Sequence, residues 1–368
     1  MVKNKLYVMM FVLIVTLPWV SACQPEESSS PPKNVKAEQK SIKSGQLPAQ
    51  GFIEVIGWIT DSEIVAVYSE GEATVFNRYN VYDGTIKKIY ESSSTYVSAS
   101  ISPDRDKILI HSSQTSYSAQ VSIIDLSGKL MFQEEMPSYE LTYTWNKFNE
   151  NDLLMTSFSE DWSYQVYQVN IEEKKIKKIE VKEPFVQWQS ATTILFQDWD
   201  TEEISVAAPL FAQNILDGKT EMIVDESIHF NQFKNTLLSI FPREEGGPFT
   251  YQFITAKGEI QSEFTVDLLS RYSDWLVPYY DMIEGKNELI TFVADEQGSF
   301  DTYAGTFSLR KWDVLSGKDT LVSEDMPLEP IQCSPNGETC LYGNQLEKVI
   351  TLKKSSIVQL LKDEGADM

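Results

Sequence analysis

A recurring turn-and-strand unit restricts the fold of this chain more than any other feature. A turn rich in Asp, Asn or Gly followed by a short apolar run starts near Ile64 (ITDSEIVAV), Ile108 (SPDRDKILI), Leu153 (NENDLLMT), Ile194 (SATTILF), Leu237 (KNTLLSIF), Leu289 (EGKNELITF) and Cys340 (SPNGETCLY), at intervals of 44, 45, 41, 43, 52 and 51 residues. Downstream of six of these runs lies a second turn: Asp83-Gly84, Ser127-Gly128, Glu172-Glu173-Lys174, Asp217-Gly218, Lys257-Gly258 and Ser316-Gly317. Each second turn separates two stretches with period-two alternation, the pattern of a hairpin. Four strands in about 40–45 residues is the arithmetic of a propeller blade, and a lone blade cannot bury both faces of its sheet.

The expected fold is therefore all-β, a β-propeller of six to seven four-stranded blades, with the count favouring seven. Two packed sheets with coincidental spacing are the alternative. The propeller is expected over residues 51–354. Its last unit reads as lacking a fourth strand, which the segment Gln46 to Phe52 would supply, and Ser355 to Lys362 (SSIVQLLK) reads as a short helix within a tail at 355–368.

The N-terminus carries an address. Lys3 and Lys5 precede an apolar run from Leu6 to Val15, and Val20-Ser21-Ala22-Cys23 follows. Small residues before a cysteine at that distance match the bacterial lipobox, so 1–22 is expected to be a lipoprotein signal peptide and Cys23 the lipidated residue. An ordinary signal peptide with an incidental cysteine is the alternative. A diacylglycerol-modified Cys23 would hold the chain at the extracytoplasmic face of the membrane, in the manner of Gram-positive lipoproteins. Residues 23–50, beginning with QPEESSSPPK after the cysteine, have the composition of a flexible tether.

Charge narrows the partners. The net charge is −23, and loss of Lys3 and Lys5 with the leader takes it to −25. Nucleic acid binding needs the opposite sign, so no nucleic-acid partner is expected. Two histidines and three scattered cysteines leave little for a zinc or iron centre. The body is expected to be monomeric and to stand off anionic lipid, with a cell-envelope protein or polymer as its partner.

Two turns carry a family resemblance. Ser102-Pro103-Asp104-Arg105-Asp106-Lys107-Ile108 and Ser334-Pro335-Asn336-Gly337-Glu338-Thr339 look like the Ser-Pro-Asp-Gly turn of TolB-type and WD40-like propellers. From lipobox through acidic β-rich repeats, the whole chain resembles the YqgU-like β-propeller lipoproteins of Bacillus-type bacteria. That resemblance implies a cell-surface lipoprotein with a six-bladed propeller, and it brings no catalytic signature.

Cys333 and Cys340 flank the turn of the last A–B hairpin. Paired antiparallel strands would bring them within disulfide range, and export permits oxidation, so a bridge is expected; two free core thiols, or a metal pair without partners, are the alternatives.

Propeller topology places A–B and C–D turns on one face, and B–C loops with the D–A connections between blades on the other. The second set is longer and holds Asp-Trp three times, at Asp161-Trp162, Asp198-Trp199 and Asp274-Trp275, with Asp200, Asp301 and Tyr303 in the same loops. These nine residues form the candidate ligand-binding set. Exposed indole and phenol beside carboxylates suit a sugar, a cationic peptide or a calcium ion. Packing of the three tryptophans between blades is the competing explanation.

Catalysis has less support. His111, followed by Ser112 and Ser113, reads as opening a B–C loop, but adjacent strand residues point apart and no nucleophile elbow is present. His229 alternates with Ile228 and Phe230 and reads as structural. Asp198, Asp200 and Asp301 could supply a glycosidase pair, and Asp295 to Asp301 (DEQGSFD) is only a faint calcium loop. The expected role is thus non-catalytic binding or scaffolding, without a cofactor other than a weakly indicated calcium. The runner-up is a surface hydrolase of glycans, calcium-assisted.

Overall fold

Short apolar strands separated by Asx-type turns do assemble into a propeller. The computed structural model describes residues 41–200, 205–243 and 247–362. The leader, Cys23 and residues 24–40 of the expected tether lie outside these residues; its remaining part, 41–50, is not a tether but packs on the propeller, with backbone bonds to Val81, Gln359 and Leu360 and Leu47 buried. Seven four-stranded antiparallel sheets follow one another at 52–92, 95–137, 140–179, 187–227, 229–266, 280–326 and 331–359, here blades 1 to 7, each with its strands in the order A-B-C-D. A two-stranded hairpin, Leu269–Ser270 with Trp275–Leu276, sits in the connection between blades 5 and 6. It accounts for the long 52-residue interval.

Local chemistry explains the strands. In blade 3, strand B (Asp152–Phe158) is buried at every position, because neighbouring blades cover both of its faces. Strand D (KIKKI, Lys175–Ile179) instead exposes lysines along the outer edge, which discourages edge-to-edge association. The C–D turns repeat one device. The side chains of Asn80, Asp125, Asn170, Asn214 and Asp313 accept backbone N–H groups two or three residues on. A left-handed residue then closes the turn, for example Gly128 at φ 87°, where a Cβ would meet the carbonyl oxygen of Ile89 at 2.1 Å.

The innermost strands are laced into a ring by side-chain hydrogen bonds across every junction. Tyr96 donates to Glu54 at 2.5 Å, and the Trp145 indole N–H donates to Ser100 at 3.0 Å. The Trp188 indole donates to the Thr144 carbonyl, and the Gln187 amide to that of Phe230. His229 pairs with Tyr280, the Cys333 N–H donates to Asp281, and the Trp58 indole donates to the Gln332 carbonyl. Trp58, Trp145 and Trp188 thus end their A strands in equivalent positions, buried between blades.

Two expectations need correction. The segment after Lys354 is no helix: Ser356–Gln359 is strand D of blade 7, so the propeller extends beyond residue 354. The spacing of Ile357, Val358, Leu360 and Leu361 mimics a helix. Unpaired backbone along strand C (Lys348–Thr351) selects the extended form, pairing Val358 with Val349 and leaving Ile357 exposed. The N-terminal segment therefore supplies no missing strand. It adds one parallel bridge, Leu47 to Leu361, outside strand D, with Leu47 fully buried among Val55, Tyr79, Leu341 and Leu360. This contact, with backbone bonds from Lys43 to Val81 and from Gly45 and Gln46 to Gln359 and Leu360, adds to the Trp58–Gln332 bond that joins blades 7 and 1.

The Cys333–Cys340 disulfide is present, joining directly paired residues of strands A and B of blade 7, both buried. Closing so short a loop restricts the unfolded chain by about 2.5 kcal/mol on the chain-entropy model. Cys333→Ser with Cys340→Ser is expected to lower the urea-unfolding free energy by about that amount; an unchanged midpoint would mean that the bridge contributes nothing to closure.

Candidate functional site

The candidate residues divide into two groups on the B–C and D–A face. The first spans blades 3 and 4. The B–C loop of blade 3 is closed by backbone bonds from Trp162 to Ser159 and from Ser159 to Ser163. Asp161 accepts both the N–H and the hydroxyl of Ser163, which holds its carboxyl below the usual range. That turn puts Trp162 in the left-handed region at φ 64° and leaves its side chain facing water, the residue being 61% exposed. The indole stands edge-on to buried Phe158, which also contacts Tyr164 and Phe185. Phe185, on the connection from blade 3 to blade 4, is 67% exposed.

Asp198 and Trp199 continue this surface onto blade 4. Asp198 forms an ion pair with Lys182, and both line a cleft of about 320 Å³ with Phe196 and Phe211. Glu183 sits beside them, its carboxyl pushed up by burial and by the Asp198 charge. Trp199 is partly exposed and Asp200 exposed, next to residues outside the described set that include Glu202 and Glu203.

The second group joins the inserted hairpin to the B–C loop of blade 6. Ser270 donates to the Gly298 carbonyl, and the Arg271 guanidinium lies over the Phe300 ring. Asp274 is exposed. Trp275 is half-buried, 4.8 Å from Phe249, with one side packed against the core beneath the hairpin and the indole also lining a cleft. Asp301 is exposed on a single helical turn, Phe300–Thr302. The Tyr303 hydroxyl is consumed locally, donating to the Thr306 carbonyl and accepting the Asp295 N–H. Asp295 in turn accepts from Thr306 and Ser308. Among the described residues, no three His, Cys, Asp or Glu side chains converge as a metal ion requires.

Between the groups lies His229, in the wall of two clefts. One, of about 420 Å³, is lined by Arg271, Asp274, Trp275 and Tyr279; the other, of about 270 Å³, by residues of blades 3, 4 and 5. Burial drives the His229 imidazole down to about 4, so it is neutral at physiological pH, hydrogen-bonded to Tyr280 at 2.7 Å. His111 is also buried and lies within strand B of blade 2 (Lys107–Thr115) rather than opening a loop. Ser112 and Ser113 bond to Gln120 and to backbone carbonyls instead of to it.

The sequence reading missed Phe185 and Lys182, because both lie in a connection without an Asp-Trp signal. Their cue was the position of Pro184-Phe185 between the last strand of one unit and the first of the next.

Comparison with known proteins agrees with the architecture. Residues 80–343 match the model of the YqgU-like 6-bladed beta propeller domain family. The chain is 26% identical over 365 residues to the uncharacterized lipoprotein YqgU of Bacillus subtilis (strain 168), covering 99% of each. Among solved structures, the uncharacterized protein lmo1340 of Listeria monocytogenes EGD-e superposes with a TM-score of 0.82 at 22% identity, over 89% of this chain and 100% of that one. The β-propeller domain of the Trilobed protease from Pyrococcus furiosus, described as having an open velcro topology, gives 0.56 at 14% identity, over 85% and 98%. The family description counts six blades, whereas this chain forms seven four-stranded sheets.

Proposed function

This chain belongs to the YqgU-like β-propeller family, and from that membership we propose that it is a lipid-anchored binding propeller on the extracytoplasmic face of the membrane. The lipobox tetrad ending at Cys23 and the lipoprotein name of the Bacillus relative support the anchor. The tether lets an acidic body reach away from anionic lipid. The loop face of blades 3 and 4 then captures a cell-envelope protein or polymer without turning it over.

One observation carries the reading: the rings of Trp162, Tyr164 and Phe185 all rest on buried Phe158 and yet stay open to water. Keeping Trp162 in a left-handed turn costs about 1–2 kcal/mol, and its exposed indole gains little for folding in return. Rigid aromatic anchors ringed by acids suit recognition. Hydrolysis is less well supported, since Asp198 is paired with Lys182 while Asp301 lies in the other loop group.

Trp162→Ala in the mature chain is expected to leave the melting temperature within about 1 °C of the parent. Retention of the protein on purified envelope material should weaken by about 30-fold, the effect of losing a 2 kcal/mol anchor. Undiminished retention would remove the aromatic cluster from the binding surface.

A further inference from the structure

Among the described residues, the cleft of about 270 Å³ between blades 3, 4 and 5 differs from the other main clefts in having no Asp, Glu, Lys or Arg in its lining. Each of the other main clefts holds at least one charged side chain: Lys182 and Asp198, Arg271 and Asp274, or Glu284. In a chain with a net charge of −23, a charge-free opening on the loop face selects against ions.

Three of its polar side chains turn acceptor oxygens to the opening. Thr144 donates its hydroxyl proton to the Val186 carbonyl, and Thr156 donates to that of Pro184 at 3.0 Å. The Gln197 amide N–H donates to the Ser227 carbonyl at 2.6 Å. The two threonine protons and one of the two Gln197 amide protons are committed to the backbone, so the three side chains have oxygen lone pairs left to offer, and Thr142 adds a further hydroxyl. Gln187 is braced at both ends of its amide, accepting the Gln232 N–H at 2.9 Å and donating to Phe230. The wall is thus preset before a ligand arrives. Phe185 contributes an exposed ring to the lining, and His229 contributes its imidazole.

We propose that this cleft binds a neutral, polyhydroxylated ligand, a hexose or N-acetylhexosamine unit of an envelope saccharide, with ligand hydroxyls donating to Thr144, Thr156 and Gln197 and the apolar sugar face on Phe185. The proposal rests on the binding reading above and names the ligand class for the same surface. An ammonium group would also find acceptors here, but no carboxylate would balance its lost hydration.

The test titrates the full mature chain with neutral hexose and N-acetylhexosamine oligosaccharides, and with a lysine-rich peptide, at low and high salt. The expected result is saccharide binding that is insensitive to salt and weakened at least about tenfold by Phe185→Ala and by Gln197→Ala, with the melting temperature unchanged for Phe185→Ala. Thr142→Val provides a second cleft variant should Gln197→Ala unfold. Binding of the peptide alone, saccharide binding untouched by these variants, or no saccharide binding each overturns the proposal. If envelope retention still depends on Trp162 in that case, the broader reading survives; if it does not, both fall.

Discussion

Asp281→Asn and His229→Gln are expected to tilt the stability profile in opposite directions between about pH 4 and pH 6. Both residues sit on innermost strands. Asp281 accepts the Cys333 N–H at 2.6 Å and the Met282 N–H at 2.9 Å, and burial still pushes its carboxyl from 3.8 up to about 6 despite the Arg105 and Lys147 charges. Between those values the folded state holds the proton more tightly than the unfolded chain, so stability falls as pH rises and levels off above about 6. For His229 the folded value, about 4, lies below the ordinary 6.5. There the unfolded chain binds more protons, so stability is lost as pH falls from about 6.5 toward 4. Each shift of about two units corresponds to up to about 3 kcal/mol.

In the parent protein the two contributions oppose each other over the shared window. Asp281→Asn removes the falling component and should leave a profile that climbs more steeply with pH. His229→Gln removes the rising component and should leave one that declines. The loss of one backbone hydrogen bond in Asp281→Asn is a constant offset of about 1 kcal/mol and does not alter the slope. Urea midpoints measured from pH 4 to pH 7 decide the matter: parent-like slopes in both variants would show that neither group titrates abnormally in the fold.

Trp275→Ala is expected to cost about 3 kcal/mol, whereas the same change at Trp162 costs almost nothing. Trp275 packs against Phe249 among Tyr251, Phe264 and Leu268, and truncation leaves a void that these rings cannot fill. Trp162 touches Phe158 only at its edge and otherwise faces solvent. Equilibrium unfolding separates the two, and an unchanged midpoint for Trp275→Ala would return that indole to the list of surface anchors. The dipeptide Asp-Trp therefore has two fates in one molecule. In blade 3 it lies in a tight loop whose Asp161 turn projects the indole outward. Between blades 5 and 6 it lies on an inserted hairpin long enough to fold back over blade 5.

The same contrast explains which parts of the architecture could be read from the chain. Seven units, their paired turns and the Cys333–Cys340 register follow from spacing and turn residues, which act over fewer than ten positions along the backbone. The segment after Lys354 misled because four apolar residues at short spacing satisfy both periods, and only the open edge of blade 7 chooses between them. Trp58, Trp145 and Trp188 carry no local mark of their role in the inner ring; each is defined by a partner about 44 residues away, or 274 in the case of Trp58 and Gln332.

By itself, then, the sequence determined the blade repeat, the hairpin turns and the acidic character of the body, because alternation, turn chemistry and charge are properties of neighbouring residues. Only the tertiary structure decided which aromatic rings meet water, that the C-terminal strand completes its own blade, and where a cleft free of charge opens beside Phe185. Those outcomes depend on which surface of each blade its neighbour covers, and burial of that kind is set by packing between units rather than by any one of them.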